Sequence, residues 1–139
     1  MSKLIVFEGI DGSGKSTLST MVLNSLVERN FPIVKFNEPT NFETGLRIRQ
    51  FLRKEISLTR EEQIELFLLD RKDSLEKNVY PNLKKGNHVI LDRYFYSMAA
   101  YQSDETISPE QILEMNLERE YPKPDLVIYL DINPEISLM

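Results

Sequence analysis

The sequence predicts a three-layer α/β fold, in which helices cover both faces of a parallel β-sheet. Short apolar runs recur along the chain, and segments with helical periodicity separate them. Within the runs, apolar residues occupy consecutive rather than alternate positions, which is typical of strands buried on both faces. The chain has 139 residues, of which 41% are hydrophobic and 28% charged. Such a composition favours a single folded domain, and we assign it residues 1–139.

The N-terminal region predicts a strand followed directly by a helix. Residues 4–7 form a short apolar run that ends before Gly9, which favours a buried strand. Residues 15–29 have helical periodicity. The predicted apolar face of this helix carries Leu18, Met21, Val22 and Leu26.

A second strand and a second helix follow. Pro32 interrupts the chain, and residues 33–36 predict the strand. Residues 38–40 predict a loop. A helix is expected over about residues 44–54. Its apolar residues are Leu46, Ile48, Phe51 and Leu52.

Local capping signals place the later elements. Thr59 and Glu62 match a capping box, so a helix is expected to begin near residue 60, to run towards residue 79 and to end around Pro81 and Gly86. Residues 89–91 predict a third strand. Ser108, Pro109 and Gln111 predict the start of another helix, and residues 126–130 a fourth strand.

The last residues predict the start of a further helix. Asn133, Pro134 and Glu135 match an N-cap, a first-turn proline and a first-turn acid, but the chain ends at Met139. A single helical turn is too short to be stable alone, so we expect a truncated chain. The strand at 126–130 would then expose a sheet edge prone to association.

Composition and charge narrow the choice of partners. The formal net charge is −5, from 17 basic and 22 acidic side chains, which disfavours binding to nucleic acid. There is no cysteine, so disulfides and thiolate metal sites are excluded, and the one histidine, His88, is expected to be structural. The apolar N-terminal run is too short for a signal peptide or a membrane span. We therefore expect a cytoplasmic protein.

The segment after the first strand matches a phosphate-binding loop, or P-loop. Its pattern is Gly-x4-Gly-Lys-Ser, formed by Gly9-Ile10-Asp11-Gly12-Ser13-Gly14-Lys15-Ser16. Backbone N–H groups of such a loop and the start of the following helix bind phosphate oxygens. Lys15 would contact the β- and γ-phosphates, and the Ser16 hydroxyl would ligate Mg²⁺. The alternative is a glycine-rich connecting turn, but the strand before it and the helix after it favour binding of ATP or a close relative.

Asp92 and Arg93 follow the third strand. Ligands of open parallel sheets gather at the carboxyl ends of strands, so both residues should lie near the P-loop. Asp92 would hold Mg²⁺ and Arg93 a second phosphate; the alternative is a simple ion pair at the end of a strand. No Asn-Lys-x-Asp motif for guanine is found. A kinase that joins two anions needs this excess of cations and little covalent help from the protein.

These motifs resemble the thymidylate kinase family. The resemblance covers the whole chain, and its specific segments are 7–17, 91–97, 100–102, 122–126, 130–131 and 134. It implies a P-loop kinase fold, phosphorylation of thymidylate (dTMP) to dTDP by ATP with Mg²⁺, and a homodimer. It also implies that Lys15, Asp92 and Arg93 are catalytic. The ATP phosphates would contact Gly9, Asp11, Gly12, Ser13, Gly14, Lys15, Ser16 and Thr17.

The resemblance further implies an acceptor site. Phe67 would stack on thymine and Arg71 would reach a base carbonyl; from the residues alone, core packing and a surface salt bridge are the alternatives. Arg49 would hold the acceptor phosphate beside Arg93, although Arg47, two residues earlier on another helix face, competes for this role. The remaining acceptor residues implied are Asp11, Glu38, Ser97, Tyr101 and Gln102.

The chain also departs from the family pattern. Many bacterial members have Arg and Gly where this chain has Asn37 and Thr40. No Arg lies in the P-loop, so the catalytic Arg would come from a lid beyond residue 139. The last strand of the fold is likewise expected beyond the chain. Two other functions therefore remain open: a kinase for another nucleoside monophosphate or a deoxynucleoside, with Glu38 as the base, and a nucleotide-binding fragment without catalysis.

Overall fold

The computed structural model describes residues 2–9 and 14–130, and only the backbone of Ala100 and Tyr101. A π-helical turn, Leu75–Val79, joins the third helix to the fourth. The strands are β1 (Leu4–Gly9), β2 (Ile33–Asn37), β3 (His88–Asp92) and β4 (Leu126–Leu130). The helices are α1 (Lys15–Glu28), α2 (Glu43–Leu52), α3 (Arg60–Ser74), α4 (Tyr80–Lys84), α5 (Phe95–Gln102) and α6 (Pro109–Glu118).

The four strands form one parallel sheet, as the sequence predicts, and their order in it is β2-β3-β1-β4. Asp92 pairs in register with Phe7 on one side and with Asn37 on the other. The carboxyl ends of β1, β2 and β3 therefore meet at one edge of the sheet, where the P-loop begins.

Apolar side chains cover both faces of the sheet, which confirms the three-layer prediction. On one face, even-numbered residues of β1 and odd-numbered residues of β3 pack against the π-helical turn and α5. On the other face, Phe7, Ile33 and Ile90 pack against α1. Successive strand residues point to opposite faces, so consecutive apolar positions fill two cores.

The prediction that Met21 belongs to the apolar face of α1 is wrong. Met21 is 63% exposed, whereas Leu23 packs on the sheet together with Leu18, Val22 and Leu26. The buried stripe follows positions i, i+4 and i+8 and widens towards Leu23, so Met21 lies on its solvent side.

The helical run that begins at Arg60 ends at Lys84, between Pro81 and Gly86, as the sequence predicts. The Tyr80 N–H donates to Leu75 O, five residues back, and Pro81 occupies the first turn of α4, where its missing N–H is tolerated. The Asn82 side chain donates to Asn78 O at 2.7 Å and so satisfies a carbonyl near the proline. The helix ends before Gly86, which adopts a φ of 92°.

Three further expectations from the sequence concern the C-terminal residues, membrane-spanning helices and His88. Asn133, Pro134 and Glu135 lie outside the described residues. Within the described part of the chain, no helix is long and apolar enough to cross a membrane. His88 Nδ1 accepts a hydrogen bond from the Lys3 N–H at 2.9 Å, and the structural role expected of His88 stays a prediction.

Candidate functional site: a P-loop beside an arginine-lined cavity

The P-loop begins and ends as the sequence predicts. Gly9 ends β1, and Gly14 caps α1 with a φ of 86°, a left-handed conformation that glycine adopts at little cost. Lys15 and Ser16 open the helix, and Thr17 is exposed in its first turn. Asp11, Gly12 and Ser13 lie outside the described residues.

Asp92 binds the two P-loop residues that follow Gly14. The buried Lys15 ammonium pairs with Asp92 Oδ1, and the Ser16 hydroxyl donates to Asp92 Oδ2 at 2.7 Å. Asp92 faces α1 because it has the same strand parity as Ile90, which packs on that helix. The sequence prediction that Asp92 lies beside the P-loop is thus met, and a carboxylate next to a hydroxyl is an oxygen donor set that suits Mg²⁺.

The donor set is small, as is usual for magnesium bound with a nucleotide. Within the described residues, no cluster of three or more acidic or histidine side chains is found. Mg²⁺ typically takes one or two carboxylates and completes its shell with phosphate oxygens and water. The residues present therefore fit this ion.

Lys35 is a further cation at this end of the sheet, and sequence reasoning missed it. Its ammonium lies 4.0 Å from Asp92 Oδ2 and donates to Thr20 Oγ1 at 3.0 Å. The feature of the sequence that could have identified Lys35 is a charged residue within the apolar run of β2. Such a residue rarely lies in a strand core unless a partner compensates its charge.

A cavity of about 630 Å³ lies beside Asp92 and Arg93. It unites acceptor residues that lie far apart in the chain. Those implied by the resemblance and found in its wall are Glu38, Arg49, Phe67, Arg71, Arg93, Ser97 and Gln102. Of the other two, Asp11 is outside the described residues, and the Tyr101 side chain is not described. Wall residues that sequence reasoning missed are Pro39, Phe51, Leu52, Arg60, Gln63, Asp70, Tyr94 and Met98.

Arg71 and Glu38 form a buried ion pair in the cavity wall. Arg71 is 3% exposed, and its Nε and Nη2 both lie 2.9 Å from Glu38 Oε1. The surface salt bridge considered for Arg71 is therefore wrong, because the pair is buried. The guanidinium also lies 4.9 Å from the ring centre of Tyr94, in a cation–π contact.

Asn116 of α6 holds the third nitrogen of the Arg71 guanidinium. Its Oδ1 accepts a hydrogen bond from Arg71 Nη1 at 2.7 Å, and its Nδ2 donates to Ile112 O at 2.8 Å. The side chain is fully buried. The amide and the carboxylate together set the orientation of the guanidinium.

Burial raises the pKa of Glu38 above its usual value, and the Arg71 charge acts in the opposite direction. Glu38 Oε2 and Ser74 Oγ make no well-formed hydrogen bond among the described residues. Ser74 nevertheless lies close enough to favour the charged carboxylate. Of the contacts that lower the pKa of Glu38, the pairing with Arg71 has the largest effect, but burial outweighs it.

The structure separates Arg49 from Arg47. Arg49 lines the cavity, whereas Arg47 is exposed and absent from its wall. Arg49 Nη1 and Nη2 donate to the carbonyl oxygens of Thr40 and Pro39, each at 2.6 Å. Arg49 is therefore the arginine of α2 placed to meet a ligand in the cavity.

Arg93 joins the P-loop to the cavity. It directly follows Asp92 and has a φ of 77°, which is uncommon for a residue with a side chain. Its N–H donates to Phe7 O at 2.9 Å, and its side chain lines the cavity. Such backbone strain tends to occur where a function requires a particular side-chain direction.

Glu8 caps α5 from the neighbouring strand. Its carboxylate accepts hydrogen bonds from the N–H groups of Tyr94 and Ser97, at 3.2 and 2.8 Å, and from the Ser97 hydroxyl. Tyr94, the N-cap residue itself, provides no side-chain cap. The sequence did not predict α5 because its cap lies 86 residues away along the chain.

The fold and the site together define a class of protein. A glycine loop between a central parallel strand and a helix carries Lys15 and Ser16, and an arginine-lined cavity lies beside it. This arrangement is that of a P-loop nucleotide-binding protein of the α/β class. Within that class, a family model described as thymidylate kinase matches residues 7–139, so the chain belongs to the thymidylate kinase family.

Individual relatives agree with the family model. The chain is 57% identical over 134 residues to a thymidylate kinase of Leptospira borgpetersenii, covering 96% of this chain and 65% of that protein. It is 41% identical to one from Desulfotalea psychrophila, covering 96% and 65%. The crystal structure of the Ehrlichia chaffeensis thymidylate kinase matches 99% of this chain and 76% of its own, with a TM-score of 0.83 and 30% identity. The chain thus spans just under two thirds of the length of these two curated relatives.

Proposed function

We propose that the protein transfers the γ-phosphoryl group of ATP to thymidylate and forms dTDP and ADP. The observation that carries this proposal is that seven acceptor residues from distant parts of the chain, Arg93 among them, line one cavity, while the adjacent Asp92 binds the P-loop residue Lys15. A phosphate donor would lie on the P-loop side and an acceptor in the cavity. In this proposal, residues 1–139 form part of one kinase domain.

Positioning and charge account for most of the proposed chemistry. An oxygen of the thymidylate phosphate forms a bond to the γ-phosphorus while the bond from that phosphorus to the β–γ bridging oxygen breaks, and ADP leaves. The attacking oxygen is already ionised, so no general base is needed. Lys15 would bind the donor phosphates with the loop residues, and Arg49 and Arg93 would bind the acceptor phosphate.

Magnesium would be held by Ser16 and Asp92. When bound, it neutralises charge on the β- and γ-phosphates. Asp92 would serve the site by keeping its carboxylate oriented between Lys15 and Ser16, to which it is already bonded. A location in the cytoplasm and assembly as a homodimer stay predictions.

The base pocket would be formed by Phe67, Arg71, Ser97, Tyr101 and Gln102, with Asp11 at the sugar hydroxyl and Glu38 near the acceptor and the metal. Phe67 is a half-buried aromatic ring in the cavity wall, which suits stacking on a flat base. Because Arg71 is held by Glu38 and Asn116, it would offer its donors to a base carbonyl from a fixed position.

A coupled assay of ADP release tests the acceptor. We expect kcat/KM for thymidylate to exceed that for deoxyuridylate by about tenfold or more, since one methyl group in an apolar pocket gives discrimination of this order. Equal values for the two acceptors would overturn the thymine pocket. Turnover of thymidine in place of thymidylate would favour the deoxynucleoside kinase, and ATP binding without turnover of any acceptor would favour the nucleotide-binding fragment.

A substitution of Arg93 tests whether this residue belongs to the acceptor half or to the donor half of the proposed site. We expect Arg93→Ala to weaken thymidylate binding about tenfold to a hundredfold, because a charge-assisted contact to phosphate is lost. ATP binding should change little, and isothermal titration calorimetry measures both. Equal loss of ATP and thymidylate binding would show that Arg93 belongs to the donor side.

A further inference from the structure

Asp70 is a buried carboxylate in the cavity wall with no role in the function proposed above. It lies on α3 and is 2% exposed. Among the residues that the structure describes, it forms no salt bridge, so hydrogen bonds alone compensate its charge. A buried carboxylate needs such compensation, because an unpaired charge is costly away from water.

The hydrogen bonds to Asp70 come from the segment that links β2 to α2. Asp70 Oδ2 accepts the Thr40 N–H at 2.9 Å, and Oδ1 accepts the Thr40 hydroxyl at 2.6 Å. The Thr44 hydroxyl lies 2.8 Å from Asp70 Oδ1 and 2.9 Å from Asp73 Oδ2. Asp70 thereby fixes both the backbone and the side chain of Thr40.

The same segment holds Arg49. The carbonyl oxygens of Pro39 and Thr40 accept hydrogen bonds from Arg49 Nη2 and Nη1, and Asn41 Oδ1 accepts a further one from Nη1 at 3.1 Å. A guanidinium has five N–H donors, so the N–H of Nε and one hydrogen of Nη2 have no acceptor among the described residues. These two donors can bind a pair of phosphate oxygens side-on if the remaining Nη2 hydrogen is the one next to Nε.

We propose that Asp70 is a positioning residue for the acceptor phosphate. It fixes Thr40, the carbonyl groups of residues 39 and 40 fix Arg49, and Arg49 presents its remaining donors to the cavity that Arg93 also lines. This inference rests on the proposed function, in which Arg49 binds the phosphate of thymidylate. Asp70 acts through Thr40 and makes no contact with phosphate itself.

Comparing thymidylate with thymidine isolates the contribution of the phosphate. The ratio of their dissociation constants, measured by calorimetry, reports the contacts that only the phosphate makes. We expect Asp70→Asn to lower the preference for thymidylate about tenfold, because the NH2 group that replaces one carboxylate oxygen cannot accept the hydrogen bond that this oxygen accepts from Thr40. ATP binding should stay within about twofold of the wild type.

Matched variants distinguish positioning from general damage. Thr40→Val removes the hydroxyl, keeps the size of the side chain and should lower the ratio, whereas Thr40→Ser should restore it. Asp73→Asn is the control, because Asp73 contacts Thr44 but neither Thr40 nor the cavity wall. It should leave the ratio unchanged.

The outcomes separate this inference from the proposed function. If the wild type prefers thymidylate but Asp70→Asn and Thr40→Val keep its ratio, the role of Asp70 is overturned and the proposed function stands. If the wild type binds thymidine as tightly as thymidylate, both are overturned. If Asp70→Asn fails to fold, the ratio for Thr40→Val decides.

Discussion

Glu8 shows how a single buried acid organises the site at the scale of residues. It interrupts the apolar strand β1, and its side chain faces α5, whereas Asp92 on the neighbouring strand faces α1. Burial raises the pKa of Glu8, and the hydrogen bonds from Ser97 and Tyr94 lower it by a smaller amount. The fold thus retains a proton on Glu8 at pH values where the unfolded chain has lost it.

This raised pKa predicts a pH dependence of stability. Between pH 4.5 and the raised pKa, the folded state binds more protons than the unfolded state, so the free energy of unfolding falls as pH rises. Glu8→Gln cannot titrate, so its stability should depend less on pH in this range. Glu8→Gln should also lower the free energy of unfolding by about 1–2 kcal/mol, because either the Ser97 N–H or the Tyr94 N–H loses its acceptor.

Urea unfolding at several pH values between 4.5 and 8 measures this effect. The control is Glu61→Gln, which changes an exposed acid in the first turn of α3. Parallel pH profiles for the wild type and Glu8→Gln would contradict the assignment.

At the scale of elements, helices with local caps were predicted and the helix with a remote cap was not. Thr59 and Ser108 form the capping boxes that the sequence indicates, and α3 and α6 begin where expected. The helix α5 depends on Glu8, and nothing within its own segment marks its start. The close approach of α2 to residue 40 was likewise invisible, because it depends on tertiary packing.

Gly45 allows that close approach. A Cβ atom at this position would lie 1.9 Å from the Thr40 carbonyl oxygen, which is a backbone atom and cannot rotate away. Glycine to alanine in a helix normally stabilises by about 1 kcal/mol. Here we expect the opposite: Gly45→Ala should destabilise the protein by about 1–3 kcal/mol through overpacking.

Thermal and urea unfolding measure the sign of this change. Gln50→Ala, at an exposed position of the same helix, is the control and should be neutral or slightly stabilising. A Gly45→Ala protein as stable as the wild type would contradict this expectation and show that the backbone around Thr40 moves at little cost to accommodate a methyl group. Weaker thymidylate binding is also expected, since Arg49 depends on the Thr40 carbonyl.

At the scale of the whole molecule, the sequence predicted the layers of the fold better than the spatial relations between distant segments. The apolar runs and the P-loop pattern led to the parallel sheet, and the resemblance led to the residues that line the cavity. Strand order, the Arg71–Asn116 contact and the Asp70–Thr40 contact could not be predicted. These depend on pairings between distant segments, for which local periodicity carries no signal.

The edge strand β4 predicts a property of the whole molecule. Among the described strands it pairs only with β1, and Tyr129 on it is 63% exposed. Exposed apolar edges promote association between chains. We therefore expect Tyr129→Lys to reduce self-association of this chain, as measured by sedimentation velocity over a range of concentrations.

Met21→Lys is a matched control, because Met21 is equally exposed but lies on a helix. It should change self-association less than Tyr129→Lys. An equal effect of both variants would point to general charge repulsion instead of the sheet edge.

The burial of the Arg71–Glu38 pair has a consequence for ionic strength. Dissolved ions screen exposed pairs such as Arg53–Glu55, but they reach a pair with 3% and 6% of its side chains exposed far less. The part of the cavity wall that this pair forms should therefore keep its shape from dilute buffer to concentrated salt. Under the proposed function, the dependence of thymidylate binding on salt should then arise chiefly at the phosphate, where Arg49 and Arg93 line the cavity.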